Sequence, residues 1–141
     1  MDSALDNLTR SGGLKAEPAD SRECIGLFQS AVARLMDAQN ITLSFASRFD
    51  LAYNSAHALA LTALRLNGYR SDRRYLVFQC LVHTLGMTKQ QTRLFALCHE
   101  RRNLAEYEGY MDVDEQLLME LVANTNGMIP SVEKLIELEC K

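Results

Sequence analysis

Nothing in this chain approaches the run of about 20 apolar residues that a membrane-spanning helix needs, so no membrane association is expected. Its first residues, Met1-Asp2-Ser3-Ala4-Leu5-Asp6, are acidic and lack the apolar stretch of a secretory signal, which makes the cytoplasm the expected compartment. No two of the four cysteines, Cys24, Cys80, Cys98 and Cys140, lie at CxxC spacing. Three fall inside apolar helical patterns, so the set reads as small buried hydrophobes in a reducing compartment, not as a disulfide framework. His57, His83 and His99 share no HxxH or HExxH spacing, and the acidic Asp112, Asp114 and Glu115 suit the first turn of a helix. No metal or cofactor is expected. The GxxxxGK(S/T), GxGxxG and GxSxG signatures are all missing, which argues against a nucleotide hydrolase or serine hydrolase. A positive balance is missing too. The net charge of −3 and pI of about 5.6 exclude a globally basic nucleic-acid footprint. Only two local patches remain for such a contact: Arg65, Arg70, Arg73 and Arg74, then Arg93, Arg101 and Arg102.

What is present is a helical repeat of apolar residues. At 141 residues, 48% hydrophobic and 23% charged, the chain has the size and composition of one globular domain. Such a domain buries roughly 68–70% of its unfolded surface. Residues 1–20 read as a loosely attached arm, broken by Ser11-Gly12-Gly13 and Pro18, whose Leu5, Leu8 and Leu14 can dock on a core. The helical domain is then 21–141. Asp20 or Ser21 caps a first helix reaching about Asn40, with Ile25, Phe28, Val32, Leu35 and Met36 in register. A second runs over 44–67, apolar nearly all round and rich in alanine, as expected of a central helix or one that also meets another subunit. Ser71-Asp72 caps a third over 73–85, and Thr88 a fourth over 89–108 whose core side is Leu94, Leu97, Cys98, Leu104 and Ala105. A fifth starts at Asp112 or Asp114 and must kink or restart at Pro130, which has no N–H to donate. No strand pattern is visible. The expected fold is all-α, an antiparallel bundle of about five helices joined by short links.

Polar residues concentrate in two places. On the second helix Asp50, Tyr53, Asn54 and His57 share one face by their i, i+3, i+4, i+7 spacing. His57 reads first as a hydrogen-bonded core histidine and second as a catalyst. The other place is Arg101-Arg102-Asn103-Leu104-Ala105-Glu106-Tyr107-Glu108-Gly109-Tyr110, just after His99 and Glu100. On a helix His99, Arg102 or Asn103, Glu106 and Tyr110 line one stripe, and Gly109 is a natural left-handed stop.

With these stretches in hand, the chain resembles the HEPN superfamily of small helical-bundle proteins over roughly residues 21–139. The resemblance is carried by Arg48-Phe49-Asp50-Leu51-Ala52-Tyr53-Asn54-Ser55-Ala56-His57-Ala58-Leu59-Ala60 and by Arg102-Asn103-Leu104-Ala105-Glu106-Tyr107. It implies a homodimer packed around the second and fourth helices, with polar sites near the subunit interface. It also implies a toxin–antitoxin or stress and defence setting, with a minimal nucleotidyltransferase as partner protein. Ribonuclease members of that superfamily carry an arginine followed four to six residues later by a histidine. Here that window holds Tyr107 and no histidine. A phenol with a pKa of about 10 is a hydrogen-bond donor and a poor base at neutral pH.

The expected function is therefore a HEPN-like module, not an efficient enzyme alone, that binds nucleotide, RNA or a nucleotidyltransferase. Arg102, Tyr107 and His99 are its candidate catalytic positions; the module binds through Arg102, Asn103 and Tyr107, with Glu106, Arg101, Asn54, His57 and Tyr110 as further binding residues. One alternative is a ribonuclease toxin in which Arg102 stabilises the phosphorane and His99 or His57 replaces the missing histidine, or Glu106 if burial raises its pKa. Another is a purely structural, ion-paired dimer seam through Arg102 and Glu106.

Overall fold

The computed structural model describes residues 3–109 and 112–140. Within them the chain is an all-α assembly: α1 (Ser3–Arg10), α2 (Ser21–Ala38), α3 (Phe45–Leu66), α4 (Arg74–Gln79), α5 (Leu81–Thr84), α6 (Lys89–Glu108) and α7 (Glu115–Glu139). The caps explain the starts. Asp20 accepts from the backbone N–H of Arg22 and Glu23, Ser44 from Ser47, and Asp114 from Leu117. Thr88 and Gln91 form a reciprocal capping box at α6. The fourth helix ends where expected, on Gly109 at φ 79°, a left-handed stop that a side chain would strain.

α3 is the axis of the molecule. It packs against α2, α4, α5, α6 and α7, and its buried residues are distributed around the helix. Its alanines bring α2 close enough for the buried Ser55 hydroxyl to donate to the Ala31 carbonyl at 2.6 Å. The Arg48 Nε–H donates to the Ala38 carbonyl at 2.8 Å, occupying an end carbonyl that α2 itself leaves open.

Some expectations change and others narrow. Of the N-terminal arm, residues 3–20 are described, and its leucines dock on the core as expected, Leu8 only partly buried. Leu5 and Leu14 lie in the core, and a two-residue strand β1 (Lys15–Ala16) pairs antiparallel with β2 (Tyr69–Arg70), so a short strand pair exists where none was expected. The third helix is broken at Cys80, whose carbonyl accepts from both His83 and Thr84 N–H, a tightened turn that separates α4 from α5. Of the two outcomes expected at Pro130, a kink or a restart, the restart does not occur: α7 runs through it as one element. Pro130 and Asn126 are both exposed, so water can take the carbonyl that proline leaves unbonded. Lastly, Leu104 is 40% exposed and off the core side, because from Leu104 to Gly109 every residue except Ala105 is exposed. Cys24, Cys80 and Cys98 are buried as expected, burial pushes the Cys98 thiol up to about 12, and Cys140 is half-buried.

Candidate functional site

The polar face of α3 meets α4 and α6 around one buried ring, Tyr53. Its hydroxyl lies 2.7 Å from His99 Nδ1, and His99 Nε2 lies 3.1 Å from Asn103 Nδ2. Both contacts are satisfied together by a neutral imidazole that donates from Nδ1 to the tyrosine oxygen and accepts at Nε2 from the amide. Two guanidiniums stand over the same ring, Arg102 with its Cζ 5.2 Å from the centroid and Arg74 at 5.6 Å. Arg102 is bracketed by carboxylates, its Nε 3.2 Å from Asp50 and an Nη 3.0 Å from Glu106. Arg74 donates to the Asn54 amide oxygen at 3.0 Å, and Asn54 in turn donates to the Asp50 backbone carbonyl at 2.9 Å. Among the described residues no carboxylate pairs with Arg74.

The electrostatics follow from this packing. Burial and the nearby Arg74 and Arg102 lower the His99 pKa, holding the ring neutral. Burial raises the Tyr53 pKa, against the opposing pull of Arg74, so the phenol keeps its proton. His57, one turn along α3, sits edge-on to Phe78 at 6.0 Å, and burial takes its pKa down to about 4. The expected hydrogen bond is missing there: His57 Nε2 is buried without a partner among the described residues. The site thus offers two neutral imidazoles, a protonated phenol and one unneutralised guanidinium. It can hold an anion. It lacks an imidazolium to act as general acid at neutral pH.

The structure therefore brings together His99, Arg102, Asn103, Glu106, Asn54 and His57 of the residues expected from sequence. The rest are elsewhere. Arg101 pairs with Asp112. Tyr107 is 88% exposed and makes no hydrogen bond among the described residues. Tyr110 lies outside the described residues. Of the first arginine patch, Arg65 and Arg70 are consumed by Glu17 and Glu23. Tyr53 and Asp50 stand outside the site residues expected from sequence, and Arg74 was expected only as one member of a basic patch. The signal for Tyr53 and Asp50 was the polar i, i+3, i+4, i+7 row on an otherwise apolar helix, whereas Arg74 comes from a separate element. Among the described residues no group of three or more metal-ligating side chains converges, and no helix is long and apolar enough to cross a membrane.

Comparison with known proteins finds no matching family model, no matching curated protein and no matching solved structure.

Proposed function

We propose that this chain is a HEPN-like module that binds the phosphate groups of RNA or nucleotide at the seam between α3, α4 and α6, without cleaving RNA itself. The observation that carries this is Arg74: a guanidinium seated over a buried tyrosine, held by a neutral amide and left without a counter-charge. Arginine in such a position presents donors to phosphate, and desolvated surroundings strengthen the contact. Cleavage is disfavoured by the same geometry, because both nitrogens of His99 are engaged and its pKa is lowered. In the bound assembly a second copy, or a nucleotidyltransferase partner, covers the exposed end of α6 at Leu104 and Tyr107.

A second reading has one observation in its favour. Asp50, Arg102 and Glu106 form an ion-paired clasp within the chain, which is what a structural role would use. Both carboxylates are about half exposed, so the clasp contributes no more than about 1 kcal/mol.

The test has two arms. Total RNA is inspected after inducing the protein in a bacterial host, and affinity for a single-stranded RNA oligonucleotide is measured with purified protein. Intact RNA, together with an affinity that Arg74→Ala lowers about tenfold (about 1.4 kcal/mol), supports the binding module. Fragmented RNA that Arg102→Ala abolishes would establish a ribonuclease instead. Unchanged affinity in both variants, with a lower melting temperature for Arg102→Ala, would leave only the clasp.

A further inference from the structure

A cleft of about 560 Å³ opens where the turn between α1 and β1 faces the start of α4. Its volume falls within the range of small-molecule sites. Its lining divides by chemistry. Leu14, Leu61 and His57 supply an apolar and aromatic surface, and Lys15, Arg73 and Arg74 supply positive charge, against the single carboxylate Asp72. Arg70 also lines the cleft but is already held by Glu17 and Glu23. Lys15 and Arg73 have no ion-pair partner among the described residues. Other clefts on the molecule differ in this respect. The two beside α6 set one arginine against Glu120, or against Asp112, Asp114 and Glu120. At its edge the α1–β1 turn packs closely on α4: a Cβ added at Gly13 would come within 2.9 Å of the Leu76 side chain.

We infer that this cleft binds a small nucleoside phosphate, its phosphates on Lys15, Arg73 and Arg74 and its base against Leu14, Leu61 and His57. Three cations gathered from two segments match a multiply charged group that one cation would hold weakly. The apolar surface matches a stacked or edge-packed ring, which inorganic phosphate lacks. Arg74 and His57 are shared with the seam proposed above, whereas Lys15, Arg73, Leu14 and Leu61 belong to the cleft and not to the seam.

The experiment is isothermal titration of the full chain with ADP and, separately, with inorganic pyrophosphate. ADP is expected to bind with a Kd on the order of 0.1 mM or tighter. The double variant Lys15→Glu/Arg73→Glu, at exposed positions that leave the core intact, weakens ADP binding at least about tenfold with an unchanged melting temperature. Leu61→Ala weakens ADP but not pyrophosphate. Absence of binding at about 5 mM of either probe would overturn the inference, as would an ADP affinity indifferent to the double variant. Equal binding of both probes, untouched by Leu61→Ala, would also overturn it by leaving no place for the base. The seam and the cleft separate cleanly. ADP binding lost in Arg102→Ala but kept in the double variant sinks the cleft and supports the seam. ADP binding that needs Lys15 and Arg73 in a protein that ignores RNA does the reverse.

Discussion

His57 sits in an environment that its chemistry does not prefer. An imidazole nitrogen buried without a partner costs free energy, and burial also disfavours the charged ring. The fold favours the neutral form, so the associated stability is fully present above the unfolded pKa of about 6.5. It is lost as pH falls toward about 4, by an amount on the order of 2–3 kcal/mol. His99, also lowered, adds to the same decline. Replacing His57 with phenylalanine removes the orphaned nitrogen and its titration. Urea melts of His57→Phe at pH 7 should match or exceed the parent by about 1 kcal/mol, with a shallower loss of stability between pH 6.5 and 4. A steeper loss in the variant would mean that His57 is protonated in the fold. Arg65 is the converse case, a charge made acceptable by complete pairing. It is 2% exposed, its Nε meets Glu23 at 2.6 Å, and its other nitrogens reach the carbonyls of Glu17 and Pro18 at 3.1 and 3.0 Å. Sequence placed it in an open basic patch because four arginines fall within ten residues. Apart from the Tyr69 carbonyl four residues on, these partners lie 42 to 48 positions away, a pairing only the tertiary fold can make. Arg65→Ala should cost about 3 kcal/mol or more in a chemical denaturation experiment.

At the scale of elements, what sequence could reveal was whatever is encoded within a few residues. The caps at Asp20, Ser44, Thr88 and Asp114 and the stop at Gly109 are local hydrogen-bonding and backbone properties, and each helix they bound is present. The break at Cys80 and the passage through Pro130 have no such local code. Both depend on what the neighbouring elements permit. α7 continues beyond Pro130 because Met128 and Val132, on either side of it, are buried against the rest of the bundle, and that burial outweighs one missing hydrogen bond. Restoring the bond should therefore stabilise the protein. Pro130→Ala is expected to add about 1–3 kcal/mol and raise the melting temperature by several degrees. A lower melting temperature would show that the ring at 130 makes a contact of its own, or that its restraint of the unfolded chain dominates.

The whole molecule is held together by α3, which packs against α2, α4, α5, α6 and α7, and by a second tie at the N-terminal end of the chain. That tie comprises Leu5 and Leu14 in the core, the β1–β2 pair, the Tyr69 hydroxyl on Asp6, and Glu17 and Glu23 shared between Arg65 and Arg70. Glycines and a proline made the first twenty residues read as an arm. Those breakers report local flexibility; the leucines' docking was legible, but not the strand pair or the Glu17 and Glu23 partners that fix the segment. The same blindness applies at the seam, where His99 and Tyr53 are 46 positions apart and the polar face of each helix was legible but their meeting was not. If residues 3–20 are integral, a single cooperative transition should include them. Leu5→Ala and Leu14→Ala should each lower stability by about 2–5 kcal/mol, with one urea midpoint seen by both far-UV circular dichroism and tyrosine fluorescence. Amide exchange at the β1–β2 pair should then require nearly the full unfolding free energy. If instead both substitutions cost under about 0.5 kcal/mol, and the β1 amides exchange by local opening, the segment is an appendage. The cleft between its turn and α4 would then have no fixed wall.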